Sequence, residues 1–219
     1  EISGLSGGGS SNKVFIQNCL NYGTITYNGI TTNKLYIGGI LGHIDNGIND
    51  IENCVSGGKV ISNKVSYYAG TLSGSCSKLK NCYWADSISY NKACGGYGSP
   101  TTAESTSFNS TTFELSKAVS VYNHTKTSLV DALNAAADYY NIYNNFSHWV
   151  LNKNNKEVSF TVNSRAKSLT LNPQLILLPS LATEGKLWFD GWYTNSPCTH
   201  PLTDFEVTTD TPLYGKWEE

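Results

Sequence analysis

Three copies of one dipeptide constrain this chain more than any other feature. Asn18-Cys19 lies within Ile16-Gln17-Asn18-Cys19-Leu20, Asn53-Cys54 within Ile51-Glu52-Asn53-Cys54-Val55, and Asn81-Cys82 within Leu79-Lys80-Asn81-Cys82-Tyr83. A glycine-bounded apolar step precedes each copy: Gly4-Leu5-Ser6-Gly7, then Gly39-Ile40-Leu41-Gly42, then Gly70-Thr71-Leu72-Ser73-Gly74. From leading glycine to Asn is 14 residues twice and 11 the third time, and the leading glycines stand 35 and then 31 residues apart. Markers that travel together at such a period mean stacked supersecondary units, each unable to bury its apolar face alone.

Each unit breaks into short apolar runs separated by Gly, Asn and Ser, among them Lys13–Gln17, Tyr22–Tyr27 and Leu35–Ile40 in the first. These are strand and turn signals of period two. Charged residues make up only 15% of the chain, and the abundance of Gly, Ser, Thr, Asn and Tyr suits strands better than helices. Short strands repeated at this period predict a β-solenoid over residues 1–98, with coils about 4.8 Å apart and equivalent residues in rows. Inward thiols, with Asn side chains bonding turn backbone, explain the Asn-Cys rows. The alternative is disulfide stapling between coils, whose spacing suits a bridge; Cys76, Cys82 and Cys94 are then the candidate cysteines. No Cys-x-x-Cys or paired His at ligand spacing occurs, so a metal site is not expected, nor is a cofactor.

Residues 99–115 have the composition of a Ser/Thr-rich linker or end cap, with Phe108 and Phe113 available to pack on the end of the array. Residues 116–219 then read as an α+β region. Ser128-Leu129-Val130-Asp131 offers a helix start, and Leu129, Leu133, Ala136, Ala137 and Tyr140 fall on one helical face up to Asn141. The segments 149–151 and 158–162 predict a hairpin under that helix. Asn109, Asn123 and Asn145 each open an Asn-x-Ser/Thr triplet and are candidate glycosylation acceptors.

Two family resemblances attach to these residues. The Gly-bounded turns followed by Asn-Cys and a Gly-Thr-Ile or Gly-Lys-Val step resemble GLUG-motif repeats of large surface proteins. Asn81-Cys82-Tyr83-Trp84-Ala85-Asp86, the turn Cys94–Ser99 and Thr101–Glu104 resemble the segment that closes such arrays, covering residues 1 to about 113. Ala85 departs from the family's usual Cys-Tyr-Trp-Asp. This resemblance implies a parallel β-solenoid on an exported protein. Residues about 175–217, through Phe189-Asp190-Gly191-Trp192-Tyr193 and Val207–Trp217, resemble the Listeria-Bacteroides repeat of internalin-type proteins. That implies a β-grasp-like module used as a stalk or spacer, although Asn195–Pro201 departs from the family's Gly-rich loop. Trp188, Trp192 and Tyr193 are candidate sugar contacts, with module core as the competing use of such rings.

The net charge of -2 and the absence of a basic run argue against nucleic acid, and no apolar stretch is long enough for direct membrane insertion. Beginning at Glu1 inside a repeat, the chain reads as a piece of something longer, with an extracellular or cell-surface location. His43, Asp45, Asp50 and Glu52 form the one acidic cluster of the array, in a stretch of turn composition. No recognisable catalytic constellation accompanies it. The sequence therefore points to a non-enzymatic structural or adhesive segment, with neighbouring domains, surface proteins or glycans as partners. A glycan-binding module is the first alternative and a solenoid polysaccharide-active enzyme the second.

Overall fold

A computed structural model describes residues 2–3, 14–29, 34–43, 49–62, 68–75, 78–86, 93–97, 102–141, 148–152, 157–162, 165–170, 174–178 and 188–218. They fall into two units, Glu1–Tyr139 and Tyr140–Glu219. Among the described residues the fold is mainly β with one helix. The first unit opens with β1 (Ile2–Ser3), β2 (Val14–Gln17), β3 (Leu20–Asn21), β4 (Ile25–Tyr27), β5 (Tyr36–Gly38), β6 (Asn49–Glu52), β7 (Val55–Ser56), β8 (Val60–Ser62), β9 (Tyr68–Gly70) and β10 (Ser73–Ser75). Then come β11 (Lys78–Ala85), β12 (Cys94–Tyr97), β13 (Thr102–Phe108), β14 (Glu114–Val121), β15 (His124–Ser128) and helix α1 (Leu129–Asn141).

The strands of one sequence unit lie parallel beside those of the next. Ile16 of β2 faces Ile51 of β6, and Ile51 faces Leu79 of β11. Leu20 faces Val55, and Val55 faces Tyr83. Ile25 pairs with Val60, and Tyr36 with Tyr68. Cys19, Cys54 and Cys82 therefore occupy matching places, each one residue before these rows. The sheets are open and mixed in sense: β11 pairs parallel with β13, but β13, β14 and β15 run antiparallel.

The Asn of each repeat has a conformational reason. Asn18, Asn53 and Asn81 have φ of 53, 50 and 49°, in the left-handed region where Asn is tolerated far better than branched residues. This kink bends the chain between β2 and β3 and between β6 and β7, so that the following Cys turns inward. Ile40, Leu41, Ile51, Cys54, Leu72, Leu79 and Cys82 form one buried cluster. Ile25, Leu35, Ile37, Val60 and Ala69 form another.

The glycine markers allow backbone to pack against backbone. A Cβ on Gly70 would stand 2.2 Å from the Ser73 carbonyl oxygen and 2.7 Å from that of Ala93.

Ser128 caps α1, its Oγ accepting from the Asp131 N–H at 3.2 Å. Leu129, Leu133, Ala136 and Ala137 are buried as their spacing predicts, and Val130 and Ala132 widen the face. Within the first unit α1 is tied to the repeats and to the turn between β14 and β15. Asn53 Nδ2 donates to the Leu133 carbonyl at 3.3 Å, and Tyr139 stacks on Tyr122 with ring centroids 3.6 Å apart.

The second unit contains β16 (Trp149–Asn152), β17 (Glu157–Val162), β18 (Arg165–Thr170), β19 (Gln174–Leu177), β20 (Trp188–Tyr193), β21 (Glu206–Val207) and β22 (Thr211–Glu218). The hairpin expected between 149–151 and 158–162 is replaced. β16 pairs with β19 and β21, whereas β17 takes β18 as its antiparallel neighbour and β22 as its parallel one. Val150, Leu178, Trp192, Val207 and Leu213 make the core of this unit.

Candidate functional site

The Asn-Cys rows come together through hydrogen bonds between repeats. Asn53 Nδ2 donates to Asn18 Oδ1 at 2.9 Å. Each thiol has the carbonyl two residues back within reach: Cys19 that of Gln17 at 3.0 Å, Cys54 that of Glu52 at 3.2 Å, and Cys82 that of Lys80 at 3.2 Å. Cys54 also approaches the Ile16 carbonyl at 3.5 Å and Cys82 that of Ile51 at 3.2 Å, one repeat earlier. A hydrogen bond from Cys54 holds the half-buried Cys19 thiol down at about 7, whereas burial pushes Cys82 up to about 12 and Cys54 well above the ordinary thiol range. No disulfide joins any two of the described cysteines, and Cys76 lies outside them. Among the described residues no cluster of His, Cys, Asp and Glu is arranged to hold a metal ion.

The acidic cluster is divided among different partners. His43 is buried, its Nδ1 lying 2.5 Å from Ser75 Oγ and its ring stacked 3.7 Å from that of Tyr36. Glu52 forms an ion pair with Lys80 at 3.2 Å and accepts from Gln17 Nε2 at 3.1 Å and from Tyr122 OH at 3.3 Å. Burial works against the charge on Lys80, but its bonds to Tyr122 and Glu52 prevail and raise its pKa. Asp50 Oδ1 is buried without a hydrogen-bond partner, and Asp45 lies outside the described residues. Glu52 is thus the centre of a polar bridge between repeats, a place that the spacing of acids did not reveal.

Of the candidate sugar contacts, Trp192 is buried in the core of the second unit, and Tyr193 is half-buried with its hydroxyl on Asp190. Lys216 Nζ lies 5.3 Å from the Tyr193 ring centroid. The side chain of Trp188 lies outside the described residues. Asn109 and Asn123 are both exposed; Asn109 Oδ1 accepts from the N–H groups of Thr111 and Thr112 at 2.8 and 2.9 Å, and Asn123 sits in a turn at φ 68°. Asn145 falls outside the described residues.

Two cavities lie beside these residues. One of about 600 Å³ in the second unit is lined by a threonine-rich stretch from Thr194 to Thr211. The other, of about 290 Å³, lies among β11, β13 and β14 and takes in Asn81 and Tyr83. Asn81 Nδ2 and Tyr83 OH are themselves fully buried without hydrogen-bond partners, a state that costs about 1–3 kcal/mol for each group. Burial also raises the Tyr83 pKa well above the ordinary phenol range, keeping the hydroxyl protonated. Among the described residues no helix is long and apolar enough to cross a membrane. Comparison with protein-family models, with curated proteins and with solved structures finds no match for this chain.

Proposed function

We propose that this chain is a non-enzymatic structural or adhesive segment of a large exported surface protein, acting outside the cell through reach and attachment. In this reading residues 1–98 are a parallel β-solenoid of GLUG-like repeats, closed by the Ser/Thr-rich stretch 99–115. Residues about 175–217 are a β-grasp-like Listeria-Bacteroides repeat. Its partners are neighbouring domains of the same protein, or surface proteins and glycans.

One observation carries this proposal: three sequence repeats lie in parallel register, with their Asn residues in the same backbone conformation and their thiols on matching carbonyls. Repetition of this kind multiplies a rigid surface instead of gathering an acid, a base and a charge stabiliser around one point. The engagement of Glu52 by Lys80, Gln17 and Tyr122 supports a structural use of that carboxylate.

The test is a screen of the purified chain against plant, host and microbial polysaccharides, read as release of reducing ends or unsaturated products. No release is expected. Release abolished by Asp45→Asn or Glu52→Gln would overturn the proposal in favour of an enzyme.

A further inference from the structure

The thiols of the Asn-Cys row are not equivalent, and the order of the repeats makes them unequal. Cys54 lies between Cys19 and Cys82 and is fully buried, as is Cys82, whereas Cys19, on the first repeat of the row, is half-buried. Each later thiol leans back toward the repeat before it. Cys54 Sγ lies 3.5 Å from the Ile16 carbonyl, and Cys82 Sγ lies 3.2 Å from that of Ile51. Leaning in this way, Cys54 comes within hydrogen-bond reach of the Cys19 thiol.

The backbone brings the same two residues together. Gln17 faces Glu52 and Leu20 faces Val55 in parallel register. Between these pairs the Asn18 N–H donates to the Glu52 carbonyl at 3.1 Å and the Val55 N–H to the Cys19 carbonyl at 2.8 Å. Parallel neighbours in a sheet stand about 4.8 Å apart, inside the Cα range of about 4.4–6.8 Å that a disulfide requires. The side-chain bond from Asn53 to Asn18 at 2.9 Å pins the same step. An accessible thiol of lowered pKa beside a protected neighbour is the arrangement of a redox-active pair, in which one sulfur meets the oxidant and the other resolves the product.

We propose that Cys19 and Cys54 are an oxidisable pair, which a low-molecular-weight disulfide converts into a covalent staple between the first and second repeats. The Cys19 thiolate attacks one sulfur of the reagent, forming a mixed disulfide and expelling one thiolate, which takes a proton from water. Cys54 Sγ then attacks the Cys19 sulfur, the mixed disulfide breaks, and the second thiol leaves with the Cys54 proton. Two protein thiols are oxidised, and one disulfide is reduced to two thiols. Burial keeps Cys54 protonated and out of reach of reagents in solution, but the second step is intramolecular, and close placement compensates. Cys54 and Cys82 also stand one repeat apart, yet both are sealed in the core, so neither meets the reagent first. The staple goes beyond the reach-and-attachment role, which stacked repeats serve with or without it, so either proposal can fail while the other stands.

The experiment treats the whole 219-residue chain, folded and fully reduced, with oxidised glutathione, blocks the remaining thiols in acid, and maps the peptides by mass spectrometry without reduction. A Cys19–Cys54 bridge is expected as the main product of the row. It should raise the melting temperature, because it closes a long loop of the unfolded chain. With Cys54→Ala, Cys19 should instead keep glutathione as a lasting mixed disulfide. Cys19→Ser, at a half-buried position that tolerates the change more readily, provides a second variant, in which Cys54 and Cys82 should stay reduced. A Cys54–Cys82 bridge, a lasting glutathione adduct at Cys19 beside a free Cys54 in the unsubstituted chain, or a row that stays reduced would overturn the proposal. So would a Cys19–Cys54 bridge that leaves the melting temperature unchanged, because such a bridge staples nothing.

Discussion

Asn53 reaches across one repeat to give a hydrogen bond to Asn18 at 2.9 Å, and both residues hold the same left-handed backbone, with φ of 50 and 53°. The side chain and the backbone of Asn53 thus do separate jobs, and substitutions can part them. Asn53→Gly keeps the backbone and loses the side-chain bonds. Asn53→Ala loses both, so it should be less stable than the Gly variant by about 1–2 kcal/mol in urea unfolding. Equal stability of the two would mean that the kink contributes nothing.

Gly70 tests the close approach of backbone to backbone. A methyl group there would meet the Ser73 oxygen at 2.2 Å, and that oxygen is main chain instead of a side chain that could swing away. Gly70→Ala should cost about 1–3 kcal/mol, as overpacking does elsewhere. The melting temperature measures this directly.

Cys19 should be the reactive thiol of the row. Its pKa is lowered to about 7 from 9.0 by the hydrogen bond from Cys54, so its thiolate builds up as pH rises through about 7. Alkylation mapped by mass spectrometry should follow that midpoint at Cys19, while Cys54 and Cys82 stay unmodified until the protein unfolds. Cys54→Ala removes the donor and should move the Cys19 midpoint upward; a midpoint unchanged by that substitution would contradict the assignment.

The location of α1 has its own test. Leu133 is fully buried, and Leu133→Ala should cost about 2–5 kcal/mol. Hydrogen exchange should show the loss in β6 and β11 of the first unit, because the Leu133 carbonyl is tied to Asn53. Exchange in β6 and β11 left unchanged by the substitution would contradict that tie.

The repeats and the helix were legible in the sequence because each writes a period into it: Asn-Cys with its glycine marker, and apolar residues on one helical face behind Ser128. The strand pairings of the second unit were not. β17 alternates clearly, but nothing in Arg165-Ala166-Lys167-Ser168-Leu169-Thr170 marks it as a partner, and proximity in sequence pointed to β16 instead. The fate of Trp192 was hidden by an irregularity between Phe189 and Gly191, where Gly191 has φ 148°. Simple alternation would send Phe189 and Trp192 to opposite faces, whereas both join one core. The cavity at Asn81 and Tyr83 left no motif, because it is made by three strands at the point where parallel pairing gives way to antiparallel.

Register is the most direct test of the stacked-repeat account. Thr26 of β4 is paired with Ile61 of β8, and both are exposed. Neighbouring parallel strands bring such a pair within the Cα range of about 4.4–6.8 Å that a disulfide requires. The measurement is peptide mapping by mass spectrometry after oxidation of the native protein by a low-molecular-weight disulfide. Thr26→Cys with Ile61→Cys should give a bridge between the two positions, and Thr26→Cys with Lys59→Cys, out of register by two residues, should give far less. Equal bridging in the two variants, or no bridge at 26–61, would contradict the parallel in-register stacking on which the account rests.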